Sequence, residues 1–101
     1  MARKSKLEVV QKFDLGTLVQ TASVVALVES GKLHSNDVLK LVYRHSRGDW
    51  GECDEHDQAV NEDALAHEGR LLSAYTVRGV KLWVITESDR SSTTVLLPED
   101  Y

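Results

Sequence analysis

The sequence predicts an α+β domain in which about three helices pack on a mainly antiparallel sheet of three or four strands. Three observations carry that expectation. From Arg70 to Tyr101 the side chains alternate between two faces in three runs joined by tight turns. Between Thr21 and His67 apolar residues recur at helical spacing and are bounded by residues that cap helices. With 101 residues, 42% of them hydrophobic and 28% charged, the chain suits one domain, residues 1–101, with a single modest core.

Residues 1–5 are basic and polar and are expected to be disordered. Leu7, Val9 and Phe13, with Val10 facing the other way, read as a short strand or extended arm that Gly16 interrupts. Thr21 caps a first helix holding Val24, Val25, Leu27 and Val28, which stops at Ser30-Gly31, where glycine supplies the left-handed position. Ser35 caps a second helix with the apolar stripe Val38, Leu39, Leu41 and Val42. Lys40, Arg44 and His45 lie toward its C-terminal end, where positive charge complements the helix dipole, and the helix must end by Gly48. A third helix runs from Cys53 or Asp54 to His67, ended by Gly69. Its buried edge is Val60, Ala64 and Leu65, flanked by Ala59 and Ala66.

The strands that follow fix their own register. A two-residue loop at Arg78-Gly79 sets Tyr75 against Leu82, Ala74 against Trp83 and Arg70 against Glu87, the last as a cross-strand ion pair. A second loop at Asp89-Arg90 sets Trp83 against Leu96, Val84 against Val95 and Ile85 against Thr94. The central strand is then apolar on both sides, so both sheet faces need at least partial cover. Pro98 lacks a ladder donor and ends the last strand.

Charge is strongly polarised along the chain. Residues 1–48 carry a net +4, residues 49–68 carry −8 with no Lys or Arg, and residues 69–101 are balanced, which gives the overall −4. A net acidic chain is poorly suited to a polyanion, so direct nucleic-acid binding is disfavoured. No run approaches the roughly 18 apolar residues of a membrane span, and the lone Cys53 has no intramolecular disulfide partner, so a cytoplasmic protein without a membrane partner is expected.

Metal ligation was weighed on His34, His45, His56 and His67, which recur every eleven residues. His56 and His67 fall about 16 Å apart along one helix, too far to share an ion. No paired-cysteine or His-Glu-x-x-His pattern accompanies them, and neither a metal nor a cofactor is expected. The acidic stretch supports two readings: a solvated helix face, or a binding face for a basic or nucleic-acid-binding protein. In the second reading the contact residues are Asp49, Trp50, Glu55, Glu62 and Asp63. Trp50, between Gly48 and Gly51, is either a plug between helices and sheet or an exposed anchor, and Asp49 is a candidate cap for the following helix.

The linked motifs of the C-terminal half resemble a family of small uncharacterised bacterial proteins found on plasmids, phages and other mobile elements. They are Gly48-Asp49-Trp50-Gly51, Asp57 and Asn61 ahead of Ala64-Leu65, Gly69-Arg70, Leu72-Ser73-Ala74-Tyr75, the run Trp83 to Thr94, and Leu96-Leu97-Pro98-Glu99-Asp100-Tyr101. The resemblance spans about residues 44–101, with a shorter first hairpin loop and no proline opening the first helix. It implies a mobile-element setting and carries no catalytic role. The expected function is a non-enzymatic accessory protein of such an element that binds protein through the acidic helix, for which inhibition of a host defence system is a fitting task. Two alternatives stand beside it. One is a small barnase-like or RelE-like ribonuclease, with Glu87 as base, His67 or His45 as acid, and Arg70 and Arg90 clamping phosphate. The other is a structural homo-oligomer.

Overall fold

The computed structural model describes residues 11–101. Four strands and three helices follow in the order β1 (Thr17–Gln20), α1 (Ala22–Glu29), α2 (Ser35–Ser46), α3 (Glu55–His67), β2 (Leu71–Val77), β3 (Val80–Thr86) and β4 (Ser92–Leu96), closed by a 3-10 turn at Pro98–Asp100. The sheet order is β1-β4-β3-β2. Both hairpins take the expected register: Tyr75 opposes Leu82, Ala74 opposes Trp83, Val84 opposes Val95, and Trp83 opposes Leu96. The Arg78-Gly79 loop is the two-residue turn expected, with both residues at positive φ, whereas the second turn is centred on Ser88-Asp89 rather than Asp89-Arg90: the Arg90 amide donates to the Glu87 carbonyl at 2.9 Å and Arg90 itself takes the left-handed position, the three-residue hairpin form. Arg70 and Glu87, just beyond the β2–β3 ladder, meet at 3.5 Å.

The first strand differs from the expectation. Phe13 lies in irregular chain, and the strand forms after Gly16 rather than before it, pairing parallel to β4; Leu7, Val9, Val10 and the segment 1–5 lie outside the described residues. Gly16 explains the displacement. Its φ is +65°, and a Cβ there would sit 2.3 Å from the Ser91 carbonyl oxygen, so only glycine lets the chain cross this closely before Thr17 donates to that same carbonyl.

Thr21 caps α1 as expected, accepting from the Val24 amide, and its hydroxyl also donates to Asp100 at 2.7 Å, which ties the C-terminal turn to the helix start. The cap of α2 is His34 rather than Ser35. The Asp37 carboxylate accepts from the His34 amide and also pairs with Arg78, interactions that hold its pKa below the usual carboxylate value. Val38, Leu41 and Val42 are buried, whereas Leu39 is 58% exposed. Val24, Leu33 and that α2 stripe pack on Tyr75, Leu82, Val84 and Val95, so the main core lies between α1, α2 and one sheet face. On the other face Trp83 stacks edge-on against Tyr101 at 5.7 Å.

Helix α3 is capped by Asp54, whose carboxylate accepts from the Asp57 amide, and not by Asp49. Its left-handed end residue is Glu68 (φ 56°) rather than Gly69. Gly69 is required for another reason: a Cβ there would lie 2.9 Å from the Ala64 Cβ. The buried edge is Asn61 and Ala64, while Val60 is 50% exposed. Asn61 turns inward because its amide donates to the Leu72 carbonyl at 2.8 Å and accepts from the Leu72 amide at 3.1 Å. Two residues along, Ala74 donates to Trp50 and accepts from Glu52. The outer edge of β2 is thereby closed at Leu72 and Ala74.

Candidate functional site

The outward side of α3 gathers the acidic candidates. Glu55, Glu62 and Asp63 are exposed there, Asp57 is exposed in the first turn on the side that further along carries the buried Asn61 and Ala64, and no Lys or Arg falls between residues 49 and 68. Asp63 pairs with His67 one turn later at 3.1 Å. Among the described residues the Glu55 and Asp57 carboxylates enter no hydrogen bond or ion pair. Both stand in the first helical turn, where the dipole stabilises negative charge without discharging it.

The Gly-Asp-Trp-Gly loop is held by neighbours on three elements. Asp49 is exposed, accepts from Arg44 at 2.7 Å and from the Gly51 amide at 3.1 Å, and its pKa is lowered chiefly by the Arg44 contact. Its backbone carbonyl accepts from the Tyr75 hydroxyl at 2.5 Å. Burial pushes that phenol's pKa far up. Trp50 does not project as an anchor. It is 4% exposed and packs with Cys53, Ala64 and Leu71, while its indole donates to Glu62 at 2.8 Å. The indole therefore locks the loop to α3, and Glu62 is part of that lock as well as part of the acidic surface.

Of the residues of the ribonuclease alternative, Arg70, Glu87 and Arg90 lie together, each bonded within the fold, and His67 is bound elsewhere. Arg70 meets Glu87 and donates to the Tyr101 hydroxyl at 2.6 Å. The Arg90 guanidinium donates to the carbonyls of Gly69 at 2.5 Å and Ala64 at 3.1 Å, closing the C-terminal end of α3, and meets Glu87 through its backbone carbonyl. His67 is bound to Asp63.

A residue given a different role by sequence reasoning is His45. It was placed as a cation on the α2 dipole, but it is fully buried, and desolvation lowers its pKa to about 3. Its Nδ1 meets Ser73 Oγ at 2.5 Å, its Nε2 meets Thr86 Oγ1 at 2.9 Å, Thr86 meets Thr93 at 2.7 Å, and Thr93 donates to the Leu15 carbonyl at 2.7 Å. The last bond fixes all the others. A carbonyl only accepts, so Thr93 gives it its proton and accepts from Thr86. Thr86 must then accept from Nε2–H, which leaves Nδ1 to accept from Ser73. Phe13 and Trp50 present their rings edge-on to the imidazole at 5.2 and 5.7 Å. A serine–histidine contact is also the beginning of a nucleophile, but here both residues are fully buried and every proton of the chain has an internal acceptor, so the arrangement is structural. The signal was present in the sequence: positions 38, 41, 42 and 45 continue one helical stripe.

An apolar groove of about 200 Å³ runs between β1 and the helices, lined by residues including Leu18, Val19, Val25, Leu39 and Val42. No group of three or more metal-ligating side chains assembles among the described residues. No helix among them is long and apolar enough to cross a membrane. Comparison with family models, curated proteins and solved structures finds no match.

Proposed function

We propose that the chain is a non-enzymatic accessory protein of a mobile genetic element that binds a basic protein surface through the outward side of α3. The supporting observation is the set of exposed carboxylates on α3, none of which meets a Lys or Arg among the described residues; Glu55 and Asp57 have no partner there at all, whereas Asp49 and Glu52 ahead of the helix are paired with Arg44 and Lys81. Such a surface raises association rates with a basic partner and repels polyanions. A nucleic-acid-binding protein is the class of partner it suits best, because the carboxylates compete for the side chains that bind phosphate. The mobile-element setting rests on the resemblance of the C-terminal motifs, and inhibition of a host defence protein is the role that setting favours.

The test is affinity capture from the native host, comparing the tagged chain with a Glu55→Lys/Asp63→Lys variant. These positions avoid Glu62, whose loss would also unlock Trp50. A basic protein captured stoichiometrically by the wild type and lost from the variant is the expected result. Capture unaffected by the reversal rejects the acidic-face reading.

A further inference from the structure

We propose that β1 is a pairing edge for a second copy of this chain, joined antiparallel about Val19 into one continuous sheet. The two edges of the sheet are treated differently. The β2 edge is closed by Asn61 and by the Trp50–Glu52 backbone, whereas β1 has only β4 as a partner among the described strands. Thr17 and Thr21 donate to the carbonyls of Ser91 and Val95, so by alternation the amides and carbonyls of Leu18 and Gln20 point away from the sheet. Edges left open are ordinarily guarded by shortness, charge, proline or a bulge, and of these β1 has only its length of four residues. The strand Thr-Leu-Val-Gln has no charge and no proline, and all four residues are exposed.

A second copy satisfies this edge in one particular register. With Val19 opposite Val19 of the other copy, Leu18 lies opposite Gln20, and the open amide and carbonyl of each residue bond across the two-fold axis. All the open groups of both strands are used. This register preserves the pleat, so Leu18 of each copy stays on the helix side of the sheet, in the groove it lines with Leu39, which is 58% exposed. No charge on either strand opposes a like charge, which any charged edge paired with itself across a two-fold axis would do. The uncharged groove also distinguishes this surface from α3. The proposal is independent of the acidic-face reading, and its test involves no other protein.

The experiment is light scattering of the purified chain and of Val19→Lys, together with oxidative cross-linking of Val19→Cys and Gln20→Cys. The wild type is expected at twice the 11.3 kDa chain mass, and Val19→Lys at the single mass with its circular dichroism unchanged. Directly opposed, non-hydrogen-bonded residues lie about 4.5 Å apart, within disulfide range, so Val19→Cys should link two chains. Gln20→Cys should not link, because the two copies of that residue are displaced along the strands. Cys53 is buried and serves as an internal control. A monomeric wild type overturns the proposal. So does a dimer that survives Val19→Lys, or one that links through Gln20→Cys and not Val19→Cys.

Discussion

His45 shows how a single residue can give the fold a pH dependence without taking part in any chemistry. Its folded pKa of about 3 lies below the ordinary histidine value of 6.5, so between those values the unfolded chain binds a proton that the folded chain refuses. Stability is therefore full above pH 6.5 and falls as pH drops toward 3, at up to about 1.4 kcal/mol per pH unit. The lowered carboxylates Asp37, Asp49 and Asp100 act in the same direction but further down, since their stabilisation is lost only as pH falls below the ordinary carboxylate value of 3.8. Urea denaturation at pH 7, 6 and 5 should thus show a decline that His45→Gln removes. A slope unchanged in the variant would place the titration elsewhere. The sequence reading placed His45 as a cation at a helix end or as a general acid, although it also continues the spacing of Val38, Leu41 and Val42. Burial decides for that spacing, and burial depends on Ser73, Thr86 and Thr93 arriving from distant positions.

Element boundaries were legible wherever a local rule acts alone. The two-residue Arg78-Gly79 loop fixed the first hairpin register, and Thr21 capped α1 as its side chain suggests; the second register also held, although its turn is centred on Ser88-Asp89. Contacts between remote segments were not legible. β1 is four residues long with no alternating burial, and its parallel partner lies more than seventy positions away. The edge of α3 was assigned to Val60 because it is apolar, but Asn61 is turned inward by the backbone groups of β2 that it satisfies. Asn61→Ala should therefore cost about 2 kcal/mol in urea denaturation, leaving the Leu72 amide unpartnered and its carbonyl with only the Cys53 thiol, while Val60→Ala should stay within about 0.5 kcal/mol. Similar losses at the two positions would contradict this account of how α3 docks. At the other end of the helix, Arg90 has a φ of 61° and reaches carbonyls of both α3 and the segment after it. Arg90→Lys keeps the charge and the backbone demand but removes the planar fork, so it should lose about 1–2 kcal/mol, measured in the same way.

The whole molecule separates its polar groups into those that build the fold and those left facing water. His45, Ser73, Thr86, Thr93 and Asn61 are buried and bonded internally, and Trp50, expected among the surface contacts, is a core residue that ties a loop to α3. The acidic run itself was legible in the sequence, because charge that dense and unbalanced on a helix with little apolar content has few places to go except outward. The role of Trp50 was legible in part: a large aromatic is more often buried than exposed, so the plug was the favoured outcome, but nothing local named Glu62 as the partner of its indole. The carboxylates of α3 meet no Lys or Arg among the described residues, and the central claim is that they face a basic protein. Capture from the native host at low and at high salt, with the wild type and Glu55→Lys/Asp63→Lys side by side, tests this most directly. An exposed electrostatic contact is screened once the Debye length shrinks to about 3 Å at 1 M salt. The account predicts a basic partner held by the wild type at low salt, released at high salt and absent from the variant. A partner retained by the variant, or no partner at low salt, would contradict it.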